Sequence, residues 1–195
     1  MPALSEAKTL GGVGAILVLL GLVPSVGFVL AIAGWVLILV AVDKISKAVN
    51  DRTIFNNVLT AVLLAIVGSI VAGVALGLGA FFAIFGAGPG PGAPTDPFAF
   101  FSQLLWLFVV GLVVFWIVMI FSARYLRRGY DAINSKLNVP MFSTVGKLYF
   151  YGALLSIILV GFILILIAEI LQIIAYFSIP ESPPQPPQPT ATTPL

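Results

Sequence analysis

Neither cysteine nor histidine occurs anywhere in this 195-residue chain. That excludes structural disulfides, Cys/His zinc sites, haem attached through thiols and acid–base catalysis by imidazole. Charge is also scarce, with Asp, Glu, Lys and Arg making up 8% of the residues, against about 25% in a soluble domain. A net charge of +2 is too small to suggest a nucleic-acid partner. No metal-ligand cluster and no nucleophile–base pair is visible, so no cofactor, no metal and no catalytic residue is expected. The glycine-rich stretch at residues 86–94 lacks the Gly-Lys-Ser/Thr that a phosphate-binding loop requires.

Apolar side chains, by contrast, make up 61% of the chain. One soluble core of this size could not hide them, whereas lipid removes the need to. The fold class expected is therefore an all-α, polytopic helical integral membrane protein in the cell membrane. Four apolar blocks stand out, at residues 11–42, 58–87, 98–123 and 145–179. As one helix the first would be ~48 Å long, against a hydrocarbon core of ~30 Å. Pro24 and Gly27 interrupt it, which predicts a tight hairpin. Ser5 is a candidate N-cap for the first arm. The second block, ~45 Å as one helix, must tilt, bend or end early. Residues 43–57 and 124–146 read as polar connections. Residues 86–97, rich in Gly and Pro, cannot be helical. After Pro180 the composition predicts a disordered, polyproline-like tail over residues 181–195, beyond a helical domain over residues 1–180. Glu6 and the single Lys8 before the first block do not form a cleavable signal, and the N-terminus is expected to remain.

The first and fourth blocks resemble each other. Gly14-Ala-Ile-Leu, Gly27-Phe-Val-Leu and Val36-Leu-Ile-Leu-Val-Ala41 match Gly152-Ala-Leu-Leu, Gly161-Phe-Ile-Leu and Ile170-Leu-Gln-Ile-Ile-Ala175. The match predicts an internal duplication, so that the fourth block also turns back on itself, near Val160 and Gly161. Six spans result: a hairpin, two long helices and a second hairpin. All nine basic residues then fall on one side together with both termini, and that side is expected to be cytoplasmic. A four-span arrangement is the alternative. It would leave Lys8 opposite the other basic residues.

Three features could carry function. Glu169 is the one acid deep inside an apolar block, with Gln172 one turn on. A charge at mid-bilayer costs about 2.5–3.5 kcal/mol on insertion scales, so the two make a candidate ion or proton site. A neutral Glu169 bonded to Gln172, Ser156, Thr60 or Ser69 is the structural alternative. Ala61, Ala65, Ser69, Gly73 and Gly77 form a small-residue stripe, read first as packing inside the chain and second as a contact with another copy or a membrane partner. Arg124, Arg127 and Arg128, with Tyr125 and Tyr130, read as a topology signal with interfacial tyrosines, and as candidate lipid head-group contacts. Tyr149 and Tyr151 beside Lys147 read as the same belt. Asp131 with Asp43 or Asp51 could hold a metal only if the fold joined them.

The segments Leu4-Ser-Glu-Ala-Lys-Thr-Leu-Gly-Gly-Val-Gly-Ala15, Ile54-Phe-Asn-Asn57, Ile66-Val-Gly-Ser69, Gly161-Phe-Ile-Leu164 and Phe177-Ser-Ile-Pro180 together resemble a family of archaeal membrane proteins, domain of unknown function 996. The resemblance covers roughly residues 4–180. It implies an archaeal cell membrane and carries over no activity and no site residue. From the residues themselves the favoured function is a non-enzymatic scaffold or accessory subunit. The alternatives are a small transporter or channel component built on Glu169 and, last, a membrane enzyme.

The absence of native cysteine makes the topology directly testable. Single cysteines placed at Ser5, Ser135 and Ser182 are expected to label from one side of the membrane, and those at Ser25 and Thr95 from the other. Labelling of Ser5 and Ser182 on the same side as Thr95 would establish four spans instead.

Overall fold

The computed structural model describes residues 2–85 and 97–182. Six helices follow one another: α1 (Pro2–Leu19), α2 (Gly27–Ala48), α3 (Arg52–Phe85), α4 (Pro97–Leu137), α5 (Pro140–Leu155) and α6 (Val160–Phe177). Short 3-10 turns, Leu20–Leu22 and Ser156–Ile158, follow α1 and α5. No strand occurs among the described residues. All six helices include a segment long and apolar enough to cross a membrane. Both end blocks are hairpins, as six spans require. Residues 86–96 and the tail beyond Ser182, where a loop and disorder are expected, lie outside the described residues.

The two polar connections are far shorter than expected. Instead of a loop over residues 124–146, α4 continues to Leu137 and α5 starts at Pro140. The reason is a helical face that charge obscures. Leu126, Tyr130, Ile133 and Leu137 recur at helical spacing and are all buried, while Arg127 pairs with Asp131 one turn on and supports the exposed side. Likewise α2 runs to Ala48 and α3 begins at Arg52. Asn50 and Asn138 end α2 and α4 with φ of 53° and 55°, a left-handed conformation that asparagine accepts more readily than most residues. Pro140 then opens α5, where its missing N–H is no loss. Ser5 is not an N-cap. The first helix starts at Pro2, and the Ser5 carbonyl accepts a bond from the Thr9 hydroxyl within α1.

Each helix packs on its chain neighbours, and α6 also packs on α1, closing the six into a ring. Lipid supplies no hydrophobic drive for this association, so close backbone approach and van der Waals contact matter most. A β-carbon on Gly14 would sit 2.8 Å from the Gly34 carbonyl oxygen, and one on Gly34 would sit 2.6 Å from that of Gly14, so any larger residue would push α1 off α2. At the turns Gly27 presses on the Gly21 carbonyl and Gly161 on that of Gly152. The two hairpins thus share a construction, with one change to the alignment. Gly152 takes the place of Gly21 rather than Gly14, because what recurs is the glycine opposite the start of the second arm.

The buried core gathers at the end of the ring where α2 meets α3 and α4 meets α5. Leu4, Ile38, Ile45, Ile54, Tyr130, Ile133, Phe142 and Tyr176 are all inaccessible there. At the opposite end Leu22, Phe28, Val29, Ile70, Trp106, Leu159 and Phe162 stand exposed, as lipid-facing side chains do. The charged end is laced by ion pairs: Lys44 with Glu6, Asp43 with both Lys47 and Arg52, and Lys136 with Asp51.

Asp51 caps α3. Its carboxylate accepts bonds from the Thr53 amide at 3.0 Å and the Thr53 hydroxyl at 2.5 Å. The Thr53 hydroxyl is the largest influence on its pKa; partial burial opposes it, and the Thr53 amide and Lys136 reinforce it, so the pKa lies below its ordinary value. A carboxyl more acidic when folded adds stability above its unfolded pKa and loses it as pH falls through the folded one. Asp51→Ala is therefore expected to lower stability by about 1 kcal/mol at neutral pH and to flatten part of the acid limb, read by thermal unfolding in detergent from neutral to low pH. An unchanged acid limb would show that the cap contributes nothing.

Candidate functional site

One line of α6 faces the inside of the ring: Ala168, Gln172, Ala175 and Tyr176 are buried along it. Glu169, midway along the helix, lies beside this line with one carboxyl oxygen sealed from solvent. Gln172 follows toward the charged end and is wholly inaccessible. Gly11 of α1 makes room for the Tyr176 ring, since any β-carbon there would overlap it.

The neighbours of Glu169 come from α5 and α4. Tyr149 of α5 donates its hydroxyl hydrogen to Gln172 Oε1 at 2.7 Å. The same hydroxyl is near enough to the Glu169 carboxyl to interact with it electrostatically. Tyr130 of α4 stands edge-on to Phe142, with ring centres 5.5 Å apart. Phe142 stands edge-on to Tyr176 at 5.1 Å. This stack puts the Tyr130 and Tyr176 hydroxyls near each other, and that of Tyr130 within electrostatic reach of the acid. Three helices thus bring one acid, one amide and three phenols together inside a membrane bundle.

Four buried atoms in this cluster lack a protein hydrogen-bond partner: Glu169 Oε2, Gln172 Nε2, Tyr130 Oη and Tyr176 Oη. An unpaired buried polar atom costs about 1–3 kcal/mol, and native folds keep few of them. Four in one cluster mark a place where polar capacity exceeds what packing needs.

Glu169 and Gln172 are thus brought together, as their spacing implies, but the partners differ from those expected. Ser156 bonds the Ala153 carbonyl of its own helix and Ser69 that of Ala65; Tyr149 stands at the acid instead. Tyr149 and Tyr130 are core residues rather than interfacial anchors. Tyr151 is exposed, and Tyr125 lies under Arg128. A signal existed: Phe142, Val145, Tyr149 and Ala153 share one face of α5 at helical spacing, and Tyr176 continues the line of Glu169 and Gln172.

The small-residue stripe does not pack as one face. Ala61 is buried against α4, where its carbonyl accepts the Ser122 hydroxyl. Ala65, Ser69, Gly73 and Gly77 point outward, and nothing stands within 4 Å of a β-carbon built on either glycine. The physical reason is that a spacing of four drifts around a helix of 3.6 residues per turn. Gly68 faces α4 instead, where a β-carbon would meet Val118. Among the arginines, Arg124 and Arg128 are exposed, while Arg127 pairs with Asp131 and covers the Phe150 ring. Asp43, Asp51 and Asp131 do not converge on one site; each pairs with basic residues instead.

The cluster makes opposite demands on its tyrosines. Tyr149→Phe is expected to destabilise the protein by about 1–2 kcal/mol, because it strips Gln172 Oε1 of its donor. Tyr130→Phe, which removes an unpaired hydroxyl, is expected to be neutral or stabilising. Thermal unfolding in detergent compares them, and equal losses would contradict this account.

The family model described as protein of unknown function (DUF996) matches residues 30–170. A protein of Methanocaldococcus jannaschii, described as uncharacterized protein MJ1644, is 38% identical over 178 residues, which covers 91% of this chain and 94% of that one. No solved structure matches.

Proposed function

The chain belongs to this family of proteins of unknown function, and we propose that it is a non-enzymatic, multi-pass protein of the cell membrane that handles a small cation, the proton included, at a buried site centred on Glu169. One observation carries this reading: Glu169 Oε2, Gln172 Nε2, Tyr130 Oη and Tyr176 Oη are all buried without a protein partner in one cluster. An acid inside a membrane is a functional candidate because its burial is expensive, and this one has phenols and an amide from three helices around it. The reading adopts what the sequence alone offers as the alternative to a scaffold, and the reason is the tyrosines. Viewed along the chain Glu169 has few polar neighbours; the ring adds Tyr149 beside it.

The site has a direction. From Glu169 the polar groups continue through Gln172 to Tyr176 along α6, toward the end that carries the ion pairs and the ends of α1 and α6. By the positive-inside rule that end is cytoplasmic, so ligand exchange is assigned to the cytoplasmic side. Arg124 and Arg128, exposed at the same end, suit anionic lipid head groups.

A scaffold or accessory subunit is the second reading. It is favoured by the outward face of Ala65, Ser69, Gly73 and Gly77, where a helix of a second copy or of a membrane partner could approach closely.

Liposomes holding the full chain separate the two. Under an imposed pH or cation gradient the wild type is expected to pass current, and Glu169→Gln to lower it at least about tenfold, the effect of ~1.4 kcal/mol on a barrier. The variant should keep its helix content and unfolding temperature. Equal flux in both would remove Glu169 from the role, and no flux in either, with folding intact, would leave the accessory reading.

A further inference from the structure

Of the nine basic residues, Lys8, Arg124, Arg128 and Lys147 pair with no carboxylate among the described residues. Three of these four stand on α4 and α5, and the packing of those helices brings them to one seam. A β-carbon on Gly146 would lie 3.0 Å from the Arg127 Cα, so the two backbones come close there. Arg128 follows Arg127 and Lys147 follows Gly146, which puts these two cations at one height on either side of the contact. Tyr130 and Tyr149, both buried, mark the inward faces of the two helices. Arg124, Arg128 and Lys147 are exposed on the opposite side, toward the surroundings of the bundle.

The height of this seam suits a lipid. Residues 104–123 of α4 carry no charge and rise ~30 Å, the thickness of the hydrocarbon core. Arg124 is the first charged residue after them, and Arg128 stands one turn further on. The cations are therefore level with lipid phosphates. Beyond them the same two faces turn apolar. Phe121 shares one face of α4 with Arg124 and Arg128, and Tyr151 and Leu154 share one face of α5 with Lys147, all at helical spacing. Phe121, Tyr151 and Leu154 are exposed. Each face thus runs from cation to apolar side chain in the direction of the hydrocarbon, as a phospholipid runs from head to chains.

The charges nearby leave the seam positive. Asp131 is the one acid on α4 and α5, and it pairs with Arg127, which also covers the Phe150 ring. Arg128 lies over the Tyr125 ring, 5.7 Å from its centre, a contact that holds the guanidinium in place. Arginine grips phosphate oxygens with two parallel N–H donors, and lysine adds a point charge. A zwitterionic head group would bring its own ammonium toward three cations. A free phosphate would leave the apolar half of the seam unused.

We propose that the α4–α5 seam binds one anionic phospholipid, with its phosphate held by Arg124, Arg128 and Lys147 and its chains laid against Phe121, Tyr151 and Leu154. This rests on the head-group role proposed for Arg124 and Arg128 and not on Glu169. It makes the site a property of two helices, and it leaves Arg127 out because Asp131 already occupies it.

Native mass spectrometry of the full chain in detergent counts the lipids it retains and tests this. The wild type is expected to keep one phosphatidylglycerol in preference to phosphatidylcholine, and an excess of soluble glycerol phosphate should not displace it. Lys147→Gln is expected to weaken retention about fivefold, and Arg124→Gln, Arg128→Gln and Lys147→Gln together about a hundredfold. As a control, Lys8→Gln, Lys47→Gln and Lys136→Gln together remove equal charge from the same end and should change retention by less than about twofold. Circular dichroism checks the helix content of each variant. No preference over phosphatidylcholine would remove the head-group role itself. Unchanged retention in Lys147→Gln would confine the contact to α4 and overturn the two-helix site. Equal losses in the control would reduce the site to diffuse attraction, and displacement by glycerol phosphate would make the ligand a free phosphate. Should the triple variant not fold, the wild-type competition and Lys147→Gln decide.

Discussion

Hydrocarbon offers no hydrogen bonds, so a chain inside a bilayer must satisfy every polar group from its own atoms. The rest of this architecture depends on that constraint. It accounts for the helices, which satisfy their backbone internally, and for the way buried side chains find bonds. Trp116 donates to the Ala153 carbonyl and Ser122 to that of Ala61, each sewing neighbouring helices together. At the charged end, where water is available, Asp51 and Thr53 close the start of α3. Against this background the four unpaired atoms around Glu169 stand out.

Packing follows the same logic. Lipid is as apolar as leucine, so helices gain little by hiding leucine from it. They gain by approaching closely, and glycine marks where they do: Gly14 against Gly34, Gly21 against Gly27, Gly152 against Gly161. These contacts hold two hairpins of shared construction on either side of α3 and α4, and α6 meets α1 to close the ring. The packing of the last three helices gives the acid its neighbours, and closure adds the first. Glu169 belongs to the last helix, Tyr149 to the helix before it and Tyr130 to the one before that, and Gly11 of the first helix admits the Tyr176 ring.

Packing and the candidate site therefore share residues in this protein. Phe142 stacks between Tyr130 and Tyr176 and so fixes the two hydroxyls that have no partner. Tyr149 serves Gln172 as a structural donor and stands beside the acid. A bundle built for packing alone would place phenylalanine at these positions, because an apolar ring fills the same space without an orphan hydroxyl.

By itself the amino-acid sequence determined the membrane class, the helical content and the hairpin–helix–helix–hairpin order, because these depend on local quantities. Apolar run length sets a span, Pro24 and Gly27 break one, and the basic residues gather at one end. Glu169 and Gln172 were legible for the same reason: an acid among apolar neighbours is conspicuous, and helical spacing puts the amide one turn away. Tertiary structure alone decided the rest. That α4 runs through its arginines to Leu137 depended on a buried face of Leu126, Tyr130, Ile133 and Leu137, whose partners lie on other helices. That Ala65, Ser69, Gly73 and Gly77 look outward depended on which side of α3 meets α4. The inward turn of Tyr130 and Tyr149 is not legible in the sequence, because an amphipathic ring beside a lysine or arginine looks the same whether it anchors at an interface or turns inward. Only the packing of helix on helix sets its direction, and that rests on contacts between residues on different helices, which no local pattern carries.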